Sequence, residues 1–223
     1  MGLPLIATPI LAGAFGPRMA VTIVTIPIFA ANTLLLVQGM RDRSLLRGIL
    51  PFMAASAVGT AIGTLLLAQI DQRTFAILIA AMVALFLARG DRLLGDDPAA
   101  LRARILGPFV CFVGGVLQGT TSIASPIVGS YFHAQRLRPA AFVFVLAAIF
   151  QLNSAVQLIG YSLQGLYTPE VVAIGLIGLV PTLLALAVGI WARGRLDPSL
   201  FRKLIIALLV VSVANLLWRT FVV

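Results

Sequence analysis

Two pairs of neighbouring residues, Thr8-Pro9 and Ser125-Pro126, combine a hydroxyl side chain with a proline. A capping hydroxyl followed by proline at the first helical position is a signal for the start of a helix. From Pro126 to Ala134 the helix would be about 13 Å long, about half the hydrocarbon core of a bilayer. In a membrane protein, each pair therefore predicts a half-helix that begins near the midplane. Two such N-termini would hold an anion through N–H groups and helix dipoles, without a charged side chain.

An alternative interpretation stays open for both pairs. Proline also occurs inside continuous transmembrane helices, where it kinks the helix while the hydroxyl bonds back to its own turn. The presence of the pair twice in the chain favours two helix starts. Pro27 and Pro181 have no counterpart in the chain, and for them we expect a kink.

Neutral polar side chains are the second feature that could do chemistry. Asn32 and Asn153 lie in apolar stretches, where an unpaired amide is costly, so each needs a partner. That partner is either a neighbouring helix or a substrate, and the matching positions of the two residues favour the substrate. Four neutral donors that precede Ser125 could line the same cavity: Gln118, Thr120, Thr121 and Ser122. Gln151 and Gln157 lie near Asn153 and are weaker candidates. The predicted substrate-binding residues are Thr8, Pro9, Asn32, Thr121, Ser122, Ser125, Pro126 and Asn153.

The composition places these residues in a membrane. Of the 223 residues, 61% are hydrophobic and 10% are charged, whereas a soluble domain has about 45 to 50% and about 25%. A transmembrane helix needs about 20 mostly apolar residues, so the chain suffices for six or seven spans and is not a soluble globule. We expect full spans from Met19 to Gln38, Gly48 to Gln69, Thr74 to Ala88, Ala141 to Leu163, Val171 to Ala192 and Leu204 to Thr220.

The chain contains a weak internal duplication, in which three motifs recur in the same order. Ile6-Ala7-Thr8-Pro9-Ile10 returns as Ile123-Ala124-Ser125-Pro126-Ile127, Ile28-Phe29-x-x-Asn32-Thr33 as Ile149-Phe150-x-x-Asn153-Ser154, and Gly63 to Phe75 as Gly189 to Phe201. Three collinear matches indicate a repeat rather than chance. They divide the chain into a first membrane repeat at 1–93, a connecting loop at 94–105 and a second repeat at 106–223. An apolar arm precedes the first motif only in the second repeat, so we expect the first hairpin arm to be missing from a shortened or misassigned start.

The basic residues indicate how the two repeats are oriented, because cytoplasmic loops carry an excess of Arg and Lys. If the stretch from Ile105 to His133 crossed the membrane once, the Arg-rich loops of the two repeats would lie on opposite sides. If it doubles back, 13 of the 16 basic residues lie on one side and 3 on the other. The sequence therefore predicts an all-α polytopic membrane protein with two inverted-topology repeats. Each repeat has a broken or half-membrane helix hairpin plus three transmembrane helices, and the Arg-rich loops are cytoplasmic in a cell inner membrane.

Several classes of function are disfavoured by what the chain contains. A single His133 and a single Cys111 argue against disulfides and metal clusters, and loop-bound acids do not supply an enzyme with a buried base. We expect no cofactor, and the basic residues lack the aromatic interleaving of nucleic-acid partners. The expected partners are a small anion and the lipid bilayer. Two small-residue faces, Gly59-x-x-x-Gly63 and Ala185-x-x-x-Gly189, would let helices approach closely, in the chain or in a homo-oligomer, and Asp71 is expected to cap a helix.

The chain resembles the TauE/SafE sulfite exporters, also called the 4-toluene sulfonate uptake permease family. The resemblance covers nearly the whole chain and rests on two similar halves, each with a stretch that runs into a proline near its first membrane element. The family's second-half pattern, approximately Gly-x-Thr-Gly-x-Gly-Gly-Pro, is matched by Gly119, Thr121 and Pro126, while glycines are replaced by Ser122, Ala124 and Ser125. The resemblance implies export or uptake of small sulfur-containing anions such as sulfite or organosulfonates.

These observations together predict a secondary transporter, a permease or exporter that moves its anion by alternating access between inverted halves. The anion site is expected where the N-termini of two half-helices converge near the bilayer midplane. An alternative stays open, in which the chain is an accessory membrane subunit or scaffold without transport activity of its own.

Overall fold

The computed structural model describes residues 3–71, 73–75, 77–78, 80–81, 100–135, 137–192, 210–211, 214 and 218. These residues form helices and their connections, and no strand occurs among them. Four helices in this part of the chain are long and apolar enough to cross a membrane: Pro17–Gln38, Met40–Leu67, Pro139–Leu163 and Pro169–Gly189. They match four of the six predicted full spans. The other two, at 74–88 and 204–220, fall mostly outside the described residues.

The helices follow the order that the repeat predicts. In the first half they are α1 (Leu3–Phe15), α2 (Pro17–Gln38), a 3-10 helix (Met40–Leu45) and α3 (Leu46–Leu67). The described residues of the second half form α4 (Ala100–Thr121), α5 (Ser125–Ala134), α6 (Pro139–Leu163), α7 (Pro169–Ile177) and α8 (Leu179–Ala192). Helix α4 begins inside the predicted connecting loop at 94–105.

Proline sets several of these boundaries. Pro17, Pro139 and Pro169 each lie in the first turn of a helix, where the missing N–H would have no partner. Helices α7 and α8 are one apolar stretch interrupted at Gly178. The interruption agrees with the kink expected from Pro181, because proline cannot donate a hydrogen bond to the carbonyl four residues earlier.

Helices α4 and α5 form a hairpin that doubles back. A methyl group added at Gly114 of α4 would meet Val128 and lie 3.9 Å from the Ala124 Cβ, and one added at Gly107 would lie 2.7 Å from the Tyr131 Cζ. Later residues of α5 thus lie beside earlier residues of α4, so the two helices are antiparallel. This hairpin agrees with the doubling back of the stretch from Ile105 to His133 that the distribution of Arg residues predicts.

Helices α3 and α4 come from different halves and pack with their backbones in contact. A methyl group at Gly59 would meet the Phe112 carbonyl, and one at Gly63 would meet the Val116 carbonyl and lie 2.9 Å from the Gly119 Cα. The helices therefore run parallel, and the predicted close approach at Gly59 and Gly63 is confirmed. The corresponding residue of the other predicted face, Gly189, has no described atom within 4 Å of such a methyl group.

The remaining contacts interlock the two halves. Helix α2 packs against α6, α3 packs against α6, and α7 packs against α2. In the predicted repeat, α2 corresponds to α6 and α3 corresponds to α7. The contact of α3 with α6 therefore corresponds to the contact of α7 with α2, and the contact between α2 and α6 corresponds to itself. On the Arg-rich side the halves also share an ion pair, with Arg138 Nη2 3.2 Å from Asp42 Oδ1.

The opposite end of the bundle is closed by short polar contacts. Gly16, with a φ of 85°, turns the chain from α1 to α2 in a conformation that glycine adopts without strain. Arg18, in the first turn of α2, donates a hydrogen bond from its guanidinium to the carbonyl of Ala68, just beyond the last residue of α3. The side chain thus satisfies a carbonyl that the end of the helix leaves without a partner.

Asp71 has the capping role predicted from the sequence. Its Oδ2 accepts hydrogen bonds from the backbone N–H groups of Arg73, at 3.1 Å, and Thr74, at 3.3 Å. The hydrogen bond from the Thr74 hydroxyl and the bonds from these N–H groups favour the ionised carboxylate, and they hold the pKa of Asp71 below its ordinary value of 3.8.

Candidate functional site

The start of α5 presents free hydrogen-bond donors. The helix begins at Ser125 with Pro126 in its first turn, so the predicted start is confirmed. The predicted Ser125 cap is wrong, because Ser125 is already helical and Ala124 occupies the cap position without a side-chain hydrogen bond. The Ala124 carbonyl accepts from the N–H groups of Ile127 and Val128. The N–H groups of Ala124 and Ser125 have no partner among the described residues.

This helix start lies midway along the neighbouring helix α3. Gly114 of α4 faces Ala124, and a methyl group on the next residue, Gly115, would meet the carbonyl of Ser56. Ser56 is the eleventh of the 22 residues of α3. The free N–H groups of α5 therefore lie inside the bundle, at the middle level of a helix long enough to cross a membrane.

The first half does not contain the second predicted helix start. Helix α1 begins at Leu3 and runs through Pro9 to Phe15, so the prediction of a helix that starts at Pro9 is wrong. Proline removes only one hydrogen bond, to the carbonyl of Leu5, and the buried face of α1 keeps the helix packed on both sides of it. The same local signal thus begins a helix at Pro126 and lies inside one at Pro9.

Thr8 has an unusual environment for a hydroxyl in a helix. Its side chain is fully buried, and its Oγ1 has no hydrogen-bond partner among the described residues, not even in its own helix. Leu5 and Ala12 lie on the same face of α1 and share a buried cluster with Ile123 and Tyr161. The face of α1 that carries Thr8 therefore packs toward the turn between α4 and α5.

The turn itself is held by Thr121 and Ser122. Thr121 is fully buried, its hydroxyl donates to the Leu117 carbonyl at 2.8 Å, and its Oγ1 accepts from the Ile123 N–H at 3.2 Å. Ser122 has a φ of 59°, a left-handed conformation that favours glycine. A glycine would adopt this conformation without strain.

Three side chains that the sequence left without a firm role surround this turn. The Gln157 Nε2 of α6 lies 2.8 Å from the Gln118 carbonyl, 3.0 Å from the Tyr161 hydroxyl and 3.2 Å from the Ser122 Oγ. Tyr161 donates to the Gly119 carbonyl at 2.6 Å. Tyr161 was missed from the sequence, although its spacing of four residues from Gln157, itself four from Asn153, places all three on one face of α6.

The two repeat-related asparagines have different surroundings. The Asn153 Nδ2 donates to the Ser56 Oγ at 2.8 Å, so this amide makes the interhelical hydrogen bond of the alternative interpretation. Asn32 is 6% exposed. Within the residues that the structure describes, neither the Asn153 Oδ1 nor the Asn32 Nδ2 has a hydrogen-bond partner. No hydrogen bond joins Asn32 to Asn153 in the described part of the chain. Both remain predicted substrate-binding residues.

The arrangement can bind an anion through neutral donors. In the described part of the chain, donors without a partner include the two N–H groups at the start of α5, the Thr8 hydroxyl and the Asn32 amide, as well as the Tyr167 hydroxyl. Neutral donors and a helix N-terminus stabilise negative charge more strongly inside a protein than in water. Among the described residues, no group of three or more His, Cys, Asp and Glu side chains could hold a metal ion.

Comparisons with known proteins give a family. No curated protein and no solved structure matches the chain. The family model described as "Sulfite exporter TauE/SafE" matches residues 1–216, which is almost all of the 223 residues and includes both repeats. The chain belongs to the TauE/SafE sulfite exporter family of membrane transporters.

Proposed function

We propose that the chain is a secondary permease that carries small sulfur-containing anions, such as sulfite or organosulfonates, across the cell inner membrane. Membership of the TauE/SafE family supports this class of substrate, and the four long apolar helices support multiple membrane crossings. The Arg-rich loops lie on the cytoplasmic side, following the excess of basic residues in cytoplasmic loops.

The observation that carries the proposal is the buried start of α5. Two backbone N–H groups without partners would be costly inside an apolar bundle unless something satisfies them. A sulfur oxyanion has only acceptor oxygens to offer such donors, and the positive end of the helix dipole adds to the attraction. The anion is therefore held at the N-terminus of α5, midway through the bundle.

The side chains around this N-terminus complete the site. The Thr8 hydroxyl and the Asn32 Nδ2 are buried donors that gain a partner when the anion binds. Pro9 and Pro126 shape α1 and α5, while the turn at Thr121 and Ser122 fixes where the N–H groups of α5 point. Asn153 lies at the same level of the bundle, where its Nδ2 donates to Ser56. It binds the anion only if this NH₂ group exchanges Ser56 for the anion, because its Oδ1 is an acceptor.

Transport follows from the relation between the halves. Each contact among α2, α3, α6 and α7 has a corresponding contact between the matching helices of the other half. This correspondence supports an inverted repeat with a two-fold axis. In such proteins a central site is exposed alternately to the two sides as one half rocks against the other. We propose the same motion here, around the anion at α5.

The test is flux of radiolabelled sulfite into proteoliposomes that contain the purified chain alone. The double variant Thr8→Ala with Ser125→Ala removes two hydroxyl donors that we propose bind the anion. It should raise the KM at least about tenfold, because hydrogen bonds to a charged ligand contribute about 1.5–3 kcal/mol each. Thr22→Ala is the matched control, because the Thr22 hydroxyl bonds to carbonyls of its own helix. An unchanged KM in the double variant contradicts the site. Absence of flux from the wild-type chain favours the accessory-subunit alternative.

A further inference from the structure

We propose that Gln157 is a positioning residue, whose amide sets the direction of the free N–H groups at the start of α5 and thereby the affinity for the anion. The inference rests on the proposed function. It concerns a side chain that makes its contacts with the turn, not with the anion.

The end of α4 explains why the turn needs an external partner. The last carbonyls of a helix have no partner within it, and α4 ends at Thr121 because Ser122 adopts a left-handed conformation. The Gln118 carbonyl receives the Ser122 N–H and the Gln157 Nε2, both at 2.8 Å. The Gly119 carbonyl receives the Tyr161 hydroxyl at 2.6 Å. Tyr161 thus takes the place of a missing N–H partner, while Gln157 adds a second hydrogen bond to the Gln118 carbonyl.

The orientation of the Gln157 amide is fixed by its partners. Its Oε1 accepts from the Gln118 Nε2 at 3.2 Å, while its Nε2 faces the Gln118 carbonyl, the Ser122 Oγ and the Tyr161 hydroxyl. The reversed amide would set oxygen against a carbonyl oxygen and nitrogen against an NH₂ group. Because an NH₂ group has only two hydrogens, the three acceptors share them, and the Ser122 Oγ is the farthest.

Ser122 is close enough to α5 in sequence to transmit this constraint. Two residues separate it from Ser125, and the N–H of Ala124 lies between them. A change in the φ or ψ of Ser122 therefore redirects both free N–H groups. A left-handed serine is disfavoured by about 1–2 kcal/mol, so the hydrogen bond from Gln157 helps to hold a conformation that the residue does not prefer.

The two repeats differ at these positions in a way that matches the role. At the spacing that relates Asn32 to Asn153, the counterparts of Gln157 and Tyr161 are the apolar residues Leu36 and Met40. In the first repeat, α1 continues through its proline and has no turn at this point. The polar pair of Gln157 and Tyr161 therefore occurs only in the half that has the broken hairpin. It is not a packing feature that the two halves share.

The experiment compares Gln157→Met with Gln164→Met in the sulfite flux assay. Gln164 directly follows the last residue of α6, and its Nε2 donates to the carbonyls of Thr64 and Gly160, at 3.0 Å each, rather than to the turn. We expect Gln157→Met to raise the KM about tenfold with little change in Vmax, since its two hydrogen bonds to the turn, to the Gln118 carbonyl and the Ser122 Oγ, are lost at about 1 kcal/mol each. Gln164→Met should leave the KM within about twofold of the wild-type value.

A rescue variant separates positioning from general stability. Adding Ser122→Gly to Gln157→Met should lower the KM most of the way back to the wild-type value, because glycine adopts a φ of 59° without strain. A KM of Gln157→Met equal to that of the wild type, with only a lower melting temperature, overturns the inference. If Gln157→Met does not fold, Tyr161→Phe decides, with an expected rise in KM of about threefold and an unchanged KM as the contradicting result. If the wild-type chain shows no saturable flux, the proposed function fails. This result differs from a failure of the inference, in which the wild type transports sulfite and Gln157→Met has the same KM.

Discussion

Replacement of Gly63 by alanine tests the contact between α3 and α4, on which the position of the hairpin depends. The new methyl group would overlap the Val116 carbonyl and lie 2.9 Å from the Gly119 Cα. Because ordinary van der Waals contact begins at 3.4 Å, the two backbones must separate by at least 0.5 Å. Both obstructing groups are backbone atoms, so no side-chain rotation can relieve the overlap.

The cost follows from two opposing terms. Overpacking of a tight interior costs about 1–3 kcal/mol, whereas alanine in place of glycine inside a helix returns about 0.5–1 kcal/mol. Because backbone atoms obstruct the methyl group, the upper part of the overpacking range applies, about 2–3 kcal/mol. After subtraction of about 1 kcal/mol for the helix preference, Gly63→Ala should be destabilised by about 1–2 kcal/mol. Gly48 lies in the same helix, and a methyl group there would have nothing within 4 Å. Gly48→Ala therefore gains the helix preference of alanine without a cost of overpacking.

The assay is the midpoint of thermal unfolding of the purified protein in detergent. For a chain of this length, 1 kcal/mol corresponds to about 2–4 °C, so Gly63→Ala should unfold about 2–8 °C below the wild type. Gly48→Ala should unfold at or slightly above the wild-type temperature. If the two variants unfold at the same temperature, α3 and α4 do not cross with their backbones in contact, and the reasoning about the hairpin is refuted.

Three further predictions concern stability. The Asp42–Arg138 ion pair has side chains that are 15% and 82% exposed, so a double-mutant cycle should give a coupling below about 1 kcal/mol that falls with added salt; a larger coupling contradicts this. Because the pKa of Asp71 is lowered in the folded state, its stabilisation is present above pH 3.8 and disappears as the pH falls through the folded value. The difference in melting temperature between wild type and Asp71→Asn should therefore vanish at low pH, and a difference that persists in strong acid contradicts this. Ser56→Ala should cost about 1–3 kcal/mol in unfolding free energy because it leaves the Asn153 amide unpaired, whereas an unchanged unfolding free energy excludes this bond.

The hairpin of α4 and α5 could be predicted because the distribution of basic residues is compatible with few membrane topologies. The stretch from 105 to 133 crosses either once or twice, and only two crossings place most Arg residues on one side. The start of α5 was also accessible, since Ser125-Pro126 is a local signal for the start of a helix. These features depend on local sequence and on charge, both of which are visible without a structure.

The environment of Thr8-Pro9 was not predictable in the same way. The pair has the local chemistry of Ser125-Pro126, but α1 continues through it because Leu5 and Ala12 bury one face of the helix against other elements. Propensity sets a weak preference that tertiary packing can override. The outcome therefore depended on contacts between distant parts of the chain.

The partners of single residues were inaccessible for a related reason. The small face at Gly59 and Gly63 was visible as spacing, but its partner in α4 belongs to the other half of the chain. The amide of Gln157 likewise acquires its role only because α6 passes beside the end of α4. Such pairings are fixed by the assembled bundle, and neither spacing nor composition encodes them directly.

The most direct test of the central claim is the effect of sulfite on the amide NMR signals of the protein labelled with ¹⁵N at Ala and Ser. We predict saturable downfield shifts of the Ala124 and Ser125 amides, because their N–H groups change from unpartnered to anion-bound. Ala54, in α3, is the internal control and should not shift. If sulfite is transported but the Ala124 and Ser125 signals do not move, the anion is not held at the start of α5 and the account of the site is contradicted.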